Sequence, residues 1–304
     1  MSTLFIFGAG ASFGSGPCSP TTPPLGGSLF DELRKNGGVA ARVSEDLAEL
    51  FRLDFETGMD RFWRDHNTWT TELLRDMARF FAVFEPSEGN FYMALIAALG
   101  GTRKKAVFAT TNYDLLIEHA IVRSNLLISY GGLPAAPKNF PVLKIHGSCN
   151  FLPDMGNGRI RGIAFDLSQA GEGAAVLDAP IRVARSTQEI LQFCATEDAI
   201  GPALAMYHPS KRVLYSDAFV KGQQNAFLSS VKTASRIYLI GLRVHTVDEH
   251  IWQPLAAAKS PLFYVGREPG ELHRWARENR RQKAFSIANS FSEALPIIAT
   301  HHGL

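Results

Sequence analysis

The chain has 304 residues, of which 46% are hydrophobic and 20% charged, with a formal net charge of +2 at pH 7. That balance excludes a disordered chain and predicts a globular fold with one sizeable core. It offers no concentrated basic surface, so no direct nucleic-acid binding is expected, and the longest apolar stretch, Phe91 to Leu99, is too short to span a bilayer.

The first apolar run, Leu4 to Phe7, reads as a buried strand that breaks into Gly8-Ala9-Gly10-Ala11-Ser12. Glycines there permit a tight turn and close approach to a pyrophosphate, whose charge amide groups and a helix's positive end can stabilise. The spacing departs from the usual dinucleotide fingerprint: the third glycine position holds Phe13, Gly14 comes one residue late, and no acidic residue ends an obvious second strand about twenty residues on. An ordinary hydride-transfer enzyme is therefore disfavoured. Taken alone, the turn equally reads as a plain strand-to-helix connection.

Helical patterns follow at Leu29 to Leu33, Val43 to Phe51, Trp69 to Phe84 and Asn90 to Leu99, predicting a helical insertion over about 27–100 that forms a small lobe over a sheet. The stripe of Leu73, Leu74, Met77, Phe80, Phe81 and Phe84 reads as core packing. A second strand, Ala106 to Ala109, ends at Thr110-Thr111-Asn112-Tyr113-Asp114 and is followed by a helix from Leu115 to Val122. A third, Val142 to Ile145, ends at His146-Gly147-Ser148, which places His146 34 residues after Asn112, about one strand-helix-strand passage. Singly, a His or Asn at a strand end is a cap or a turn residue; with the glycine turn, the two converge on one cleft.

Residues 151–201, interrupted by Gly156, Gly158, Gly162, Gly171 and Gly173, predict a loop-rich insertion without a long periodic segment. A helix from Gln223 to Ala234 leads to strands Ile237 to Ile240 and Leu262 to Val265, which end at Gly241-Leu242-Arg243 and Gly266-Arg267-Glu268, and then to a helix from Gly270 to Glu278. Clusters such as Arg103-Lys104-Lys105 and Arg280-Arg281-Gln282-Lys283 read as solvated faces. The alternation predicts an α/β class: a single domain over 1–304 with a Rossmann-like, doubly wound, mostly parallel sheet and ligands beyond the carboxyl ends of its strands. Cys18, Cys149 and Cys194, the only cysteines, lack Cys-x-x-Cys spacing. They exclude a four-cysteine zinc site and suit buried positions in a reducing cytoplasm, as does an amino terminus without a basic segment before its apolar run.

Gly8-Ala9-Gly10-Ala11-Ser12, Thr111-Asn112-Tyr113-Asp114 and Lys144-Ile145-His146-Gly147-Ser148 resemble, in that order, the glycine loop, the Gln-Asn-x-Asp segment and the catalytic His-Gly of sirtuins. Pro202 to Tyr207, Ile237 to Gly241 and Leu262 to Val265 resemble the closing strands of that fold, so the likeness covers nearly the whole chain. Two departures stand out. No zinc ribbon can form in 151–201, where Cys194 is the only cysteine, and the sirtuin Pro-Asp-Phe-Arg segment is replaced by Pro23-Pro24-Leu25-Gly26 and Leu29-Phe30. With these, the chain resembles bacterial sirtuin-like domains of anti-phage defence, which implies hydrolysis of NAD to nicotinamide and ADP-ribose, with NAD as substrate and no zinc.

The chemistry is consistent: nicotinamide is a cationic leaving group, Asn112 can orient a water or ribose hydroxyl through donor and acceptor, and His146 can take the proton. By the resemblance, Ser12 and the amides of Gly8, Ala9, Gly10 and Ala11 hold phosphates, and Asp114 holds the nicotinamide amide. Thr111 and Gly147 line the site, and Gly241 lies near the adenosine ribose. Asp248 and Glu268 are candidate ribose contacts or surface carboxylates. The resemblance further implies control by homo-oligomerisation or by a partner such as a HerA-type ATPase ring. A zinc-free deacylase or ADP-ribosyltransferase, and a non-enzymatic NAD or ADP-ribose sensor, stand as alternatives.

Overall fold

In the computed structural model of the protein, the structure describes residues 2–131, 139–156, 162–165, 175–196, 199–205, 214–279 and 281–303. Seven strands form one central sheet: β1 (Ser2–Phe7), β2 (Ala106–Thr110), β3 (Ile128–Tyr130), β4 (Phe140–Lys144), β5 (Ala234–Ile240), β6 (Leu262–Val265) and β7 (Ala284–Ala288). Their order is β7-β6-β5-β1-β2-β4-β3, and every pairing is parallel. The chain builds outward from β1 on one side and then returns to its other side at β5. The crevice beyond the carboxyl ends of β1 and β5 is thus the topological switch point, where open α/β sheets bind ligands.

Alternation within β1 shows why this strand is central. Phe5 and Phe7 face one layer, with Phe108, Tyr238 and Ile240; Leu4 and Ile6 face the other, with Ala109, Leu143, Ile237 and Leu239. A strand buried on both faces must be apolar throughout, as a parallel sheet requires. Among the described residues are twelve α-helices: α1 (Ala9–Phe13), α2 (Gly26–Lys35), α3 (Glu45–Leu53), α4 (Phe55–His66), α5 (Thr70–Phe81), α6 (Phe91–Leu99), α7 (Leu116–Arg123), α8 (Thr187–Thr196), α9 (Asp217–Thr233), α10 (Glu249–Ala257), α11 (Pro269–Glu278) and α12 (Phe291–His301). Buried residues of α6, α7 and α12 pack on the Phe5 face together with the lobe of α2 to α5 and with α8, whereas α10 and α11 pack on the Leu4 face.

Local signals explain the lobe's boundaries. Ser44, Asp54 and Asn90 each cap a helix by accepting a backbone N–H, from Leu47, Thr57 and Tyr92. The stripe expected from Trp69 to Phe84 is helical from Thr70 to Phe81. Between α3 and α5 the structure adds α4, with Gly58, Met59 and Phe62 buried. The helix expected from Gln223 begins earlier, at Asp217, and gives way to β5 at Ala234.

Among the described residues of 151–201 the structure adds paired strands and a helix that the glycine spacing does not predict. Phe151–Pro153 pairs with Ile181–Val183, Gly162–Phe165 pairs with Ala175–Asp178, and α8 buries Ile190, Phe193 and Cys194. Gly158, Gly171 and Gly173 lie outside the described residues, as do Met206, Tyr207 and Arg280. Of the three cysteines, Cys149 and Cys194 are buried and Cys18 is half-buried. Arg281 departs from the solvated face expected of its cluster: it is buried, and its guanidinium donates to the carbonyls of Ala258 and Ser260, anchoring the turn before β6. Among the described residues no helix is long and apolar enough to cross a membrane.

Candidate active site

Sheet register brings the predicted motifs together. Phe7 pairs with Thr110, and Thr110 with Lys144, so Gly8, Thr111 and Ile145 begin three connections at one level. Asn112 and His146 each stand two residues beyond the paired end of adjacent strands, β2 and β4. The passage between those strands holds α7 and the edge strand β3, not one helix alone. Ala9, Ser12, Thr111, Asn112, Asp114, His146 and Asp248 all line one cleft.

The glycine turn does something different from what its sequence suggests. A Cβ on Gly8 would lie 2.6 Å from the Gly241 carbonyl oxygen, and one on Gly10 2.9 Å from the same atom. Gly241, at φ +60, would place its own Cβ 2.1 Å from the Ala11 nitrogen. The three glycines let two backbone loops touch, one from each side of the switch point. Amides of the turn are drawn into this contact: Gly8 donates to Ile240 O at 3.0 Å, Gly10 to Gly241 O at 2.9 Å and Ala11 to Gly8 O at 2.9 Å. Of the five residues, only Ala9 and Ser12 line the cleft. The expected set of phosphate-holding amides is therefore corrected: three of them already serve the protein's own carbonyls.

Asn112 is 9% exposed and braces this turn. Its Nδ2 donates to Gly8 O at 3.0 Å and to Ser12 Oγ at 2.8 Å, while its backbone N–H donates to Thr110 Oγ1 at 3.0 Å. Both amide protons are thus committed, and only Oδ1 remains as an acceptor. The expectation that Asn112 would offer a donor and an acceptor is corrected to an acceptor alone. Ser12, 1% exposed, is held between Asn112 and Tyr92, whose hydroxyl lies 3.2 Å away.

Asp114 Oδ1 accepts the Leu116 N–H at 3.0 Å at the start of α7. Burial raises its carboxyl above the ordinary value, and the nearby Lys144 ammonium offsets part of that rise. Lys144 is fully buried beneath the site. Its Nζ donates to the Asp114 carbonyl at 2.5 Å and lies 3.2 Å from Glu118 Oε1. This ion pair fixes the backbone between Asn112 and α7 to the end of β4.

Gly147, at φ +79, has room for no side chain, since a Cβ would lie 1.9 Å from Ala203 O. The segment 203–205 runs beside the His-Gly turn: Ser148 donates to Ala203 O at 3.1 Å and Ala205 to His146 O at 2.8 Å. This holds His146, 6% exposed, with its ring in the cleft wall. Its Nε2 lies 2.9 Å from His250 Nε2. Glu268 is not brought in. It lies beyond β6, with an exposed side chain 4.0 Å from Arg243.

The opposite wall comes from the lobe: Phe55, Glu56 and Met59 of α4 and Leu74, Met77 and Phe81 of α5. The α5 stripe, expected to be core alone, therefore also faces ligand space. Sequence reasoning missed His250, His245, Glu56 and the Lys144–Glu118 pair. The signals were present: His245-x-x-Asp248-x-His250 follows the fourth apolar strand, and Phe55, Met59 and Phe62 recur at helical spacing.

Sheet order, switch-point crevice and flanking lobe together define a sirtuin-like fold. Sir2 in complex with an inhibitor, 2'-O-acetyl-ADP-ribose and a deacetylated peptide is similar over 99% of this chain and 94% of its own, at a TM-score of 0.50 and 13% identity. A Sir2 homologue mutant in complex with ADP-ribose is similar over 99% and 92%, at a TM-score of 0.49 and 14% identity. No protein-family model and no curated protein matches the chain.

Proposed function

We propose that this chain binds NAD and hydrolyses it to nicotinamide and ADP-ribose. The observation that carries the reading is the convergence of Ser12, Asn112, Asp114 and His146 on one cleft at the switch point. Water attacks the ribose carbon that bears nicotinamide as that carbon–nitrogen bond breaks. The bonding pair neutralises the pyridinium, and His146 takes the water's proton. Asn112 Oδ1 accepts a hydrogen bond from the attacking water or a ribose hydroxyl, holding it for reaction. The 2'-O-acetyl-ADP-ribose bound in the similar Sir2 complex supports the choice of a ligand that contains ADP-ribose.

The test is direct: purified, chelator-treated protein is incubated with NAD, and with NADP in parallel, and nicotinamide, ADP-ribose and cyclic products are resolved. Release of free ADP-ribose without added peptide is expected, with His146→Ala about a hundredfold slower at an unchanged melting temperature. Absence of nicotinamide release refutes the reading.

A second reading has one observation in its favour. The apolar wall of Phe55, Met59, Leu74, Met77 and Phe81 suits an acyl chain, as a zinc-free deacylase would need. Turnover that depends on an acylated peptide would replace hydrolysis by that activity. By analogy alone, we place the hydrolase in the cytoplasm as the NAD-depleting effector of a prokaryotic anti-phage system. There it would be restrained by homo-oligomerisation or by a partner such as a HerA-type ATPase. Light scattering with and without a candidate ATPase, alongside the activity, tests this.

A further inference from the structure

His146 and His250 meet nitrogen to nitrogen, Nε2 to Nε2 at 2.9 Å, with their rings tilted by 44°. Asp248, immediately before α10, adds a carboxylate oxygen, and the three ligand atoms all lie within 4.8 Å of one another. Behind this group, His245 Nδ1 stands 3.9 Å from Asp248 Oδ2 and 3.4 Å from Glu56 Oε2. We propose that His146, His250 and Asp248 form a binding site for one divalent transition-metal ion of the zinc class.

Two imidazole nitrogens and one carboxylate oxygen are a donor set that suits zinc, whereas magnesium and calcium prefer oxygen alone. Tetrahedral coordination with bonds of about 2.0–2.1 Å spaces the donors by about 3.3 Å. The two Nε2 atoms need only part by a few tenths of an ångström, and the ion takes the place of the proton between them. His245, itself beside Glu56, stands next to the Asp248 carboxylate on its outer side, the place of a partner beyond the ligand shell. His146 and Asp248 both line the cleft, so the fourth position of the ion opens to it, the arrangement of a site that exchanges its fourth ligand.

A regulatory consequence rests on the hydrolase reading: with Nε2 on a metal, His146 has no lone pair for the proton, so the ion holds the enzyme off. Chelator-treated protein is titrated with Co²⁺ and followed by visible absorption, then with Zn²⁺ by calorimetry. One equivalent per chain is expected, with the intense bands of four-coordinate cobalt, displaced by Zn²⁺ and not by Mg²⁺. His250→Gln and Asp248→Asn should each weaken binding at least tenfold, on the order of what loss of even an outer partner costs. A melting curve for each variant confirms that it is folded. A cobalt spectrum that stays that of the hydrated ion, or undiminished binding by folded His250→Gln, overturns the site. Nicotinamide release is measured separately on the chelated protein. None alongside an intact cobalt site removes the hydrolase reading and leaves the metal site standing, and release unchanged by stoichiometric Zn²⁺ refutes the inhibitory role.

Discussion

Asn112→Ala tests whether this residue braces the glycine turn as well as serving the ligand. The substitution deletes the hydrogen bonds to Gly8 O at 3.0 Å and Ser12 Oγ at 2.8 Å. Each is worth about 1 kcal/mol net, and a buried acceptor stripped of every partner costs about 1–3 kcal/mol more. Gly8 O keeps the Ala11 N–H and Ser12 Oγ keeps Tyr92, so the lower end applies, giving a loss of about 2–3 kcal/mol. For a chain of this size that is a fall in melting temperature of roughly 3–5 °C. Asn112→Asp keeps the shape but turns donors into acceptors, setting a carboxylate against Gly8 O and near Asp114. It should melt below the alanine variant. Scanning calorimetry near pH 8 measures the order wild type, Ala, Asp. Nicotinamide release, normalised to folded protein, should fall about a hundredfold in both. An aspartate variant as stable as wild type would refute the donor assignment, and an alanine variant melting within a degree of wild type would refute the brace.

Gly241→Ala should destabilise more than Asn112→Ala, because the left-handed backbone costs about 1–2 kcal/mol and the new Cβ meets the Ala11 nitrogen at 2.1 Å. Gly101→Ala, where nothing lies within 4 Å, is the neutral control in the same melting assay. Lys144→Met should cost about 3–5 kcal/mol by leaving Glu118 buried without its cation, and adding Glu118→Gln should recover part of it; strictly additive losses in denaturant titrations would argue against the pair. His301 and His302 both have pKa values lowered from 6.5, first by burial and then by Arg236. The unfolded chain takes up those protons before the folded one, so their contribution is present above pH 6.5 and is lost as pH falls below it. A melting temperature that drops between about pH 7 and pH 5, and drops less in His302→Asn, is the expected result.

Five of the seven central strands were legible because each is an apolar run with a chemical break at its carboxyl end. The edge strands Ile128–Tyr130 and Ala284–Ala288 were not: one is three residues long, and the other exposes Phe285, so neither has the apolar composition of a doubly buried strand. That Asn112, Asp114 and His146 would meet at one cleft was legible because strand ends in a doubly wound sheet converge. Of the two readings held for Glu268, the surface carboxylate fits its position: it stands beyond β6, next to β5, with an exposed side chain outside the cleft lining. His250 escaped notice because it lies in α10, on the side of a turn where only the carboxylate was sought. The purpose of the glycines was half-legible. Their flexibility could be read from the residue type, but their contact partner, Gly241, depends on a pairing no local pattern reveals.

That pairing has a consequence for how the protein is made. β1 is bonded on one side to β5, whose paired residues lie 232 positions later, from Ser2 to Ala234. At synthesis rates of about 5–20 residues per second, the ribosome needs roughly ten to fifty seconds to deliver the partner. Until then Leu4 to Phe7 present an open apolar edge, and the turn at Gly8 has nothing to close against. A nascent or truncated chain therefore carries every residue of the glycine loop, the Asn segment and the His turn without an assembled cleft, which closes only when translation has passed Gly241.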